Sequence, residues 1–159
     1  MILSFTLDGE PRTLDLDPGL RAVDVLREHC GVTAPKEGCG TGECGACAVL
    51  VDGEVRLSCL MLAAQLDGRT VTTARGLGGA GPHPVQEALA DRGGVQCGFC
   101  TPGVAVTAAA FLERHPDPTR AEIRDALSGN LCRCTGYHKI VDAVEDAAER
   151  MRKERGGRK

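Results

Sequence analysis

Between residues 38 and 47 the chain reads Gly38-Cys39-Gly40-Thr41-Gly42-Glu43-Cys44-Gly45-Ala46-Cys47, three cysteines spaced C-x4-C-x2-C among four glycines. Helices and strands do not tolerate that density of glycine, so the stretch must be a loop. Thiols recurring within it make it a loop wrapped around something bound. After eleven intervening residues stands Cys59, a fourth sulfur. Any fold available to this chain has to bring those four positions together.

The order C-x4-C-x2-C followed by a later cysteine is the spacing of plant-type [2Fe-2S] ferredoxins, and charge explains the residue types. Two ferric ions, two sulfides and four thiolates carry a formal double negative charge, which one-electron reduction increases. Glycines at 38, 40, 42 and 45 remove Cβ atoms and permit positive φ, so backbone N–H groups can turn toward the sulfurs. Hydrogen bonds to sulfur are also a lever on reduction potential. Zinc accepts four thiolates too, but the ferredoxin-type order argues against it.

The length of 159 residues allows one domain or two small ones. A net charge of -3, from 19 basic and 22 acidic side chains, leaves no excess to attract nucleic acid. With no Trp, one Tyr and three Phe, the cores must be built from Leu, Val, Ile and Ala. Small aliphatic cores commonly need a disulfide or metal staple. Residues 1 to 8 alternate like a strand and carry no basic n-region or apolar h-region, so no secretion signal is read there. Nor is a membrane span expected. Nine cysteines is an odd number, and without an export signal metal or redox use in the cytoplasm is preferred to a disulfide framework.

Taken in order, residues 2 to 7 and 12 to 16 read as strands joined at Asp8-Gly9-Glu10-Pro11, a hairpin signal. A helix follows over about residues 20 to 29, with Gly31 after its end. Ala48 to Val51 and Val55 to Ser58 flank a second hairpin turn at Asp52-Gly53, and Thr70 to Thr73 is a last strand. The stretch Gly76-Leu77-Gly78-Gly79-Ala80-Gly81-Pro82-His83-Pro84 then breaks all periodicity and reads as a linker. It contains G-x-G-x-x-G, but no second parallel strand and no acidic strand end follow, so a dinucleotide site is set aside. Beyond residue 84 the apolar period changes to about 3.6. Val85, Ala88 and Leu89 mark one helix. Val104, Ala105, Ala108, Ala109 and Leu112 mark another, with Thr101 as cap and Pro102 in its first turn. Thr119 and Glu122 form a capping box for a third helix, and Ile140, Val144, Ala147 and Met151 define a fourth.

The helical half holds a second set of sulfurs, Cys97-Gly98-Phe99-Cys100 and, after thirty-one residues, Cys132-Arg133-Cys134. In an extended C-x-C the side chains point to opposite faces. Both can serve one centre only if Arg133 sits in a turn, which Ser128-Gly129-Asn130 before it and Thr135-Gly136 after it favour. A thioredoxin-like C-x-x-C is the rival reading, but its βαβ surroundings are missing and Cys132 and Cys134 would go unexplained.

Glu37-Gly38-Cys39-Gly40, Cys44-Gly45-Ala46-Cys47, Gln96 to Gly103 and Asn130 to Tyr137 together resemble the iron-sulfur subunit of molybdenum hydroxylases, the xanthine dehydrogenase, aldehyde oxidoreductase and carbon monoxide dehydrogenase family. The resemblance covers nearly the whole chain. Pattern and resemblance together give an α+β protein: a β-grasp, ferredoxin-like domain over 1–75, a linker over 76–83, a four-helix bundle domain over 84–152, and, read from its mixed charge run and glycines, a flexible tail over 153–159. One [2Fe-2S] cluster would sit on Cys39, Cys44, Cys47 and Cys59, the other on Cys97, Cys100, Cys132 and Cys134. By the same resemblance, Gln96 and Cys134 would face the molybdenum-pterin cofactor of a large partner subunit, and the first cluster would pass electrons toward FAD in a medium subunit.

Substrate oxidation with water releases two electrons, and two one-electron centres in tandem can hold them. No catalytic constellation stands out in the chain itself. Four cysteines per set leave His29, His83, His115 and His138 as surface or cap residues, and Cys30 as a packed thiol. Arg133 and Lys139 are either charge partners of the second cluster or ordinary exposed cations. Phe99 and Tyr137 read as packing around a cluster or at a partner contact. The chain is expected to be a conductor, with flavin, molybdenum and the choice of substrate on separate subunits. A self-standing two-cluster ferredoxin that shuttles between enzymes is the alternative.

Overall fold

The computed structural model describes residues 1–157. β1 (Ile2–Leu7) and β2 (Glu10–Asp15) form an antiparallel hairpin. Its turn is only Asp8-Gly9, with φ of 51° and 85°, the backbone twist that two-residue hairpins demand. The sequence pattern assigns Glu10 and Pro11 to the turn, whereas Pro11 lies in the strand opposite Thr6. It is accommodated because β2 is an edge strand, where a missing N–H need not cost a ladder bond. Asp52-Gly53 makes the same tight turn between β3 (Ala48–Val51) and β4 (Glu54–Leu57).

With β5 (Thr70–Thr72) these strands form one five-stranded sheet in the order β2-β1-β5-β3-β4. β1 and β5 run parallel and the remaining pairs antiparallel, so the sheet is mixed. The helix expected over 20–29 is α1 (Ala22–Asp24) widening into a π-turn over Val25–His29, where the Cys30 N–H reaches the Val25 carbonyl at 3.0 Å. Leu3, Leu7, Leu26, Val49, Leu66 and Val71 fill the space beneath the sheet and are wholly buried. Leu66 comes from a short 3-10 turn (Ala63–Leu66) that is too brief to show a period in sequence.

The second half is helical: α2 (Pro84–Asp91), α3 (Thr101–Arg114), α4 (Arg120–Ala126) and α5 (His138–Gly156). His83 caps α2, its Nδ1 accepting the Val85 N–H at 3.2 Å. Thr119 and Glu122 form the expected capping box on α4. Thr101 is not the cap of α3: it is the first helical residue, and Cys100 occupies the cap position. All four helices contribute to one aliphatic core, through Val85, Leu89, Leu112, Ile123, Ile140 and Val144 among others. α5 continues through Lys153 to Gly156, a stretch the sequence pattern leaves to a flexible tail. Met151 stays on the core face, and Arg152–Asp117 and Arg155–Glu113 pairs at 2.7 Å hold the charged face. Arg158 and Lys159 lie outside the described residues.

The two halves are packed together. Asp8, whose side chain is nearly buried, accepts the Thr73 N–H (2.7 Å), the Thr73 hydroxyl (2.9 Å) and Arg75 Nε (3.3 Å), fixing the exit from the sheet. Residues 76–80 then run as tight turns. Gln86 Nε2 donates to the Ala74 carbonyl at 2.7 Å, and α3 lies on β3 through Ala48, Ala74 and Val106. Among the described residues no helix is long and apolar enough to cross a membrane.

Because Leu112 is 1% exposed at the centre of the helical core, Leu112→Ala is expected to lower stability by about 2–5 kcal/mol. A denaturant titration of the purified chain should show an earlier midpoint, and an unchanged midpoint would contradict this packing.

Candidate metal centres

In the first loop the chain turns its amides inward. Cys39 Sγ accepts the backbone N–H groups of Thr41 (3.4 Å), Glu43 (3.3 Å) and Cys44 (3.4 Å). Those donors, the Thr41 amide foremost, draw the exposed Cys39 thiol down to about 6, as expected where hydrogen bonds favour the charged form. Gly40, Gly42 and Gly45 have positive φ. Gly38 does not, and its requirement is space: a Cβ there would lie 2.9 Å from Cys44 Sγ.

Cys47 and Cys59 form the buried side of the site, packed with Val23. The fully buried Ser58 ties them together by donating from both its hydroxyl (2.7 Å) and its amide (3.3 Å) to the Cys47 carbonyl. Burial, then the neighbouring Cys47, pushes the Cys59 thiol up to about 11. The loop is clamped from outside by Arg21, which the sequence pattern does not single out. Its guanidinium donates to both Asp24 oxygens (2.8 and 2.9 Å) and both Glu37 oxygens (2.5 and 3.0 Å), so α1 is bonded to the residue just before Gly38.

In the second set, the C-x-x-C ends at the start of α3 and the C-x-C lies between α4 and α5. Residues 133–135 form a bend, as the pairing of Cys132 with Cys134 requires. Cys97 interacts with Cys134 on the exposed side, and Cys100 with Cys132 further in. Burial, then Cys132, raises Cys100 to about 12. Burial also raises Cys132, but the Thr135 hydroxyl and the Thr135 and Cys134 amides outweigh it, and the thiol ends below its ordinary value. Thr135 Oγ1 lies 3.1 Å from Cys132 Sγ.

Tyr137 sets this loop. Its φ is 71°, unusual for a bulky residue. Its hydroxyl accepts the Cys132 N–H at 2.8 Å and donates to the Asn130 carbonyl at 3.1 Å. Gln96 is exposed, next to the exposed Cys97. None of the nine cysteines is joined in a disulfide. Among the described residues no three His, Cys, Asp or Glu side chains converge on one point. Cys97 with Cys134, Cys100 with Cys132 and Cys47 with Cys59 approach in twos, and a two-iron centre takes its thiolates two per iron, so the donors present suit a [2Fe-2S] cluster.

The two sites abut. The Leu131 N–H donates to the Cys44 carbonyl at 2.9 Å, joining the neighbour of Cys132 to a cysteine of the first loop. Asn130 Nδ2 reaches the Gly45 carbonyl at 3.4 Å. A Cβ on Gly45 would run into the Gly129 carbonyl, and one on Gly103 into the Gly45 carbonyl. Phe99, between Cys97 and Cys100, lies against Gly38.

Two family models match: a 2Fe-2S iron-sulfur cluster binding domain over residues 5–75, and a [2Fe-2S] binding domain over residues 73–145. The nicotinate dehydrogenase small FeS subunit of Eubacterium barkeri is 49% identical over 149 residues, spanning 93% of this chain and 95% of that protein. The xanthine dehydrogenase iron-sulfur-binding subunit of Escherichia coli O157:H7 is 49% identical over 145 residues, 89% of this chain and 90% of that protein. The crystal structure of quinoline 2-oxidoreductase from Pseudomonas putida 86 contains a chain that is 42% identical, superposes with a TM-score of 0.91, and covers 96% of each chain. The chain belongs to the iron-sulfur subunits of the molybdenum hydroxylases. It carries two [2Fe-2S] clusters and transfers electrons within an oxidoreductase of several subunits.

The tightness of the seam is testable. Gly103→Val forces a side chain against the Gly45 carbonyl and is expected to cost about 1–3 kcal/mol, typical of overpacking. An unchanged thermal midpoint would show that α3 and the cluster loop are not in contact.

Proposed function

We propose that Cys39, Cys44, Cys47 and Cys59 hold one cluster and Cys97, Cys100, Cys132 and Cys134 the other. On this reading the chain conducts electrons from a molybdenum-pterin centre in a large partner subunit toward FAD in a medium one. When bound, each cluster supplies one-electron storage, so the pair can take the two electrons of a substrate oxidation. The observation that carries the proposal is the Leu131–Cys44 backbone hydrogen bond. It connects the two cysteine sets through one short bridge and holds their loops at a set spacing.

The direction is what the family resemblance implies, and the exposure of each set is compatible with it. Cys97, Cys134 and Gln96 are exposed together, and we assign Gln96 and Cys134 to the face toward the molybdenum-pterin cofactor. Cys39 is the exposed member of the first set and is assigned to the flavin side. Large apolar side chains stand exposed beside both: Leu60 and Leu62 near Cys59, and Val95, Phe99 and Leu131 around the second set. Apolar exposure of this kind is what a partner interface would cover. The reading divides the chain into a β-grasp domain over 1–75, a linker over 76–83 and a four-helix bundle over 84–152, working in the cytoplasm.

The experiment is Cys44→Ala in the assembled complex, followed by paramagnetic resonance. One cluster spectrum is expected to vanish and the other to remain, because the ligand sets are separate. Loss of both would contradict that assignment. Gln96→Ala is expected to keep both spectra while slowing electron delivery from the molybdenum side, and loss of the second cluster would show that Gln96 is structural instead.

A further inference from the structure

The Thr135 hydroxyl has its direction imposed by its neighbours. Its oxygen accepts the Tyr137 N–H at 3.2 Å, so one acceptor position is taken. Cys132 Sγ lies 3.1 Å away, and by geometry alone either atom can donate in that contact. A thiolate bound to iron carries no proton, which leaves Thr135 as the donor in that contact. Tyr137 cannot drift: its hydroxyl is bonded to the Cys132 amide and the Asn130 carbonyl, and its left-handed backbone lies between Gly136 and the start of α5. The two residues thus close a ring around Cys132, one arm holding its amide and the other its sulfur.

We propose that Thr135 is a positioning residue that sets the reduction potential of the second cluster through an O–H to S hydrogen bond on Cys132. This rests on the assignment of Cys132 as a ligand. One electron entering that cluster converts a ferric to a ferrous ion and adds one negative charge. No proton moves, and the Thr135 proton stays on its oxygen. A hydrogen bond to a more negative acceptor is stronger, so the hydroxyl stabilises the reduced form more than the oxidised form and raises the potential. Cys132 is only partly exposed, so solvent replaces the bond poorly. The backbone amides of Thr135 and Cys134 also favour the Cys132 thiolate, but the Thr135 hydroxyl is the donor that a single substitution removes.

The test is a potentiometric titration of the assembled complex followed by paramagnetic resonance, for the native protein, Thr135→Val and Thr135→Ser. Thr135→Val keeps the shape and loses both the donor to Cys132 and the acceptor of the Tyr137 N–H, whereas Thr135→Ser keeps both. It is expected to move the second cluster to a more negative potential by about tenfold in its reduction equilibrium, or about 59 mV for a one-electron couple. The first cluster should not move, and Thr135→Ser should retain the native value. An unmoved potential in Thr135→Val would overturn the inference, as would an equal shift in Thr135→Ser. So would loss of the second cluster in Thr135→Val, since the hydroxyl would then be holding structure. Cys132→Ala separates the two levels: if it keeps both spectra the ligand assignment fails, whereas an unmoved potential with both clusters present removes only the role of Thr135.

Discussion

The Leu131 amide bonded to the Cys44 carbonyl is the contact on which the rest of the architecture depends. It lies where two separately built cysteine loops meet, and the packing around it leaves no room for a Cβ at Gly45 or Gly103. Gly45, Gly103 and Gly129 meet backbone to backbone, so the sheet-derived loop, the first turn of α3 and the approach to Cys132 come as close as peptide units allow. Neither loop could be remodelled without moving the other. The aliphatic cores on either side serve as mounts for that junction, one beneath the sheet and one among the helices.

Charge governs how each loop is made. A cluster brings more negative charge than its surroundings can ignore, and the chain answers with donors and with graded burial. The first loop uses its own amides, concentrated on Cys39, and is held in shape by the Arg21 clamp across Asp24 and Glu37. The second uses the Thr135 and Tyr137 side chains around Cys132. In both sets some sulfurs are buried or half-buried while Cys39, Cys97 and Cys134 remain exposed. An electron carrier needs that gradient: shielded sulfurs for a stable site and open ones for exchange with its neighbours.

Much of this was legible in the chain. Alternation and the two Asp-Gly turns disclose the hairpins, the change of period after residue 84 announces the helices, and cysteine spacing announces the sites. The misplacements have local causes. Pro11 reads as a turn residue until the strand is known to be an edge. The charged end of α5 reads as a frayed tail because its pairing partners, Asp117 and Glu113, are distant in sequence. Arg21 escaped notice for the same reason, and Asn130 and Thr135 read only as turn residues around the C-x-C, since the contacts their side chains make belong to no pattern. The Leu131–Cys44 bond could not be read at all: it joins two main-chain groups eighty-seven positions apart, and main-chain groups leave no mark in a sequence.

The most direct test of the central claim, that two clusters are held side by side across one short backbone bridge, is the paramagnetic resonance of the chain in its complex at graded stages of reduction. If the account is right, both signals should broaden or split at low temperature once both centres hold an electron, and should be simple when only one does. Two signals that stay independent at full reduction would mean that the cysteine sets do not sit together, and the relay built on their contact would fall.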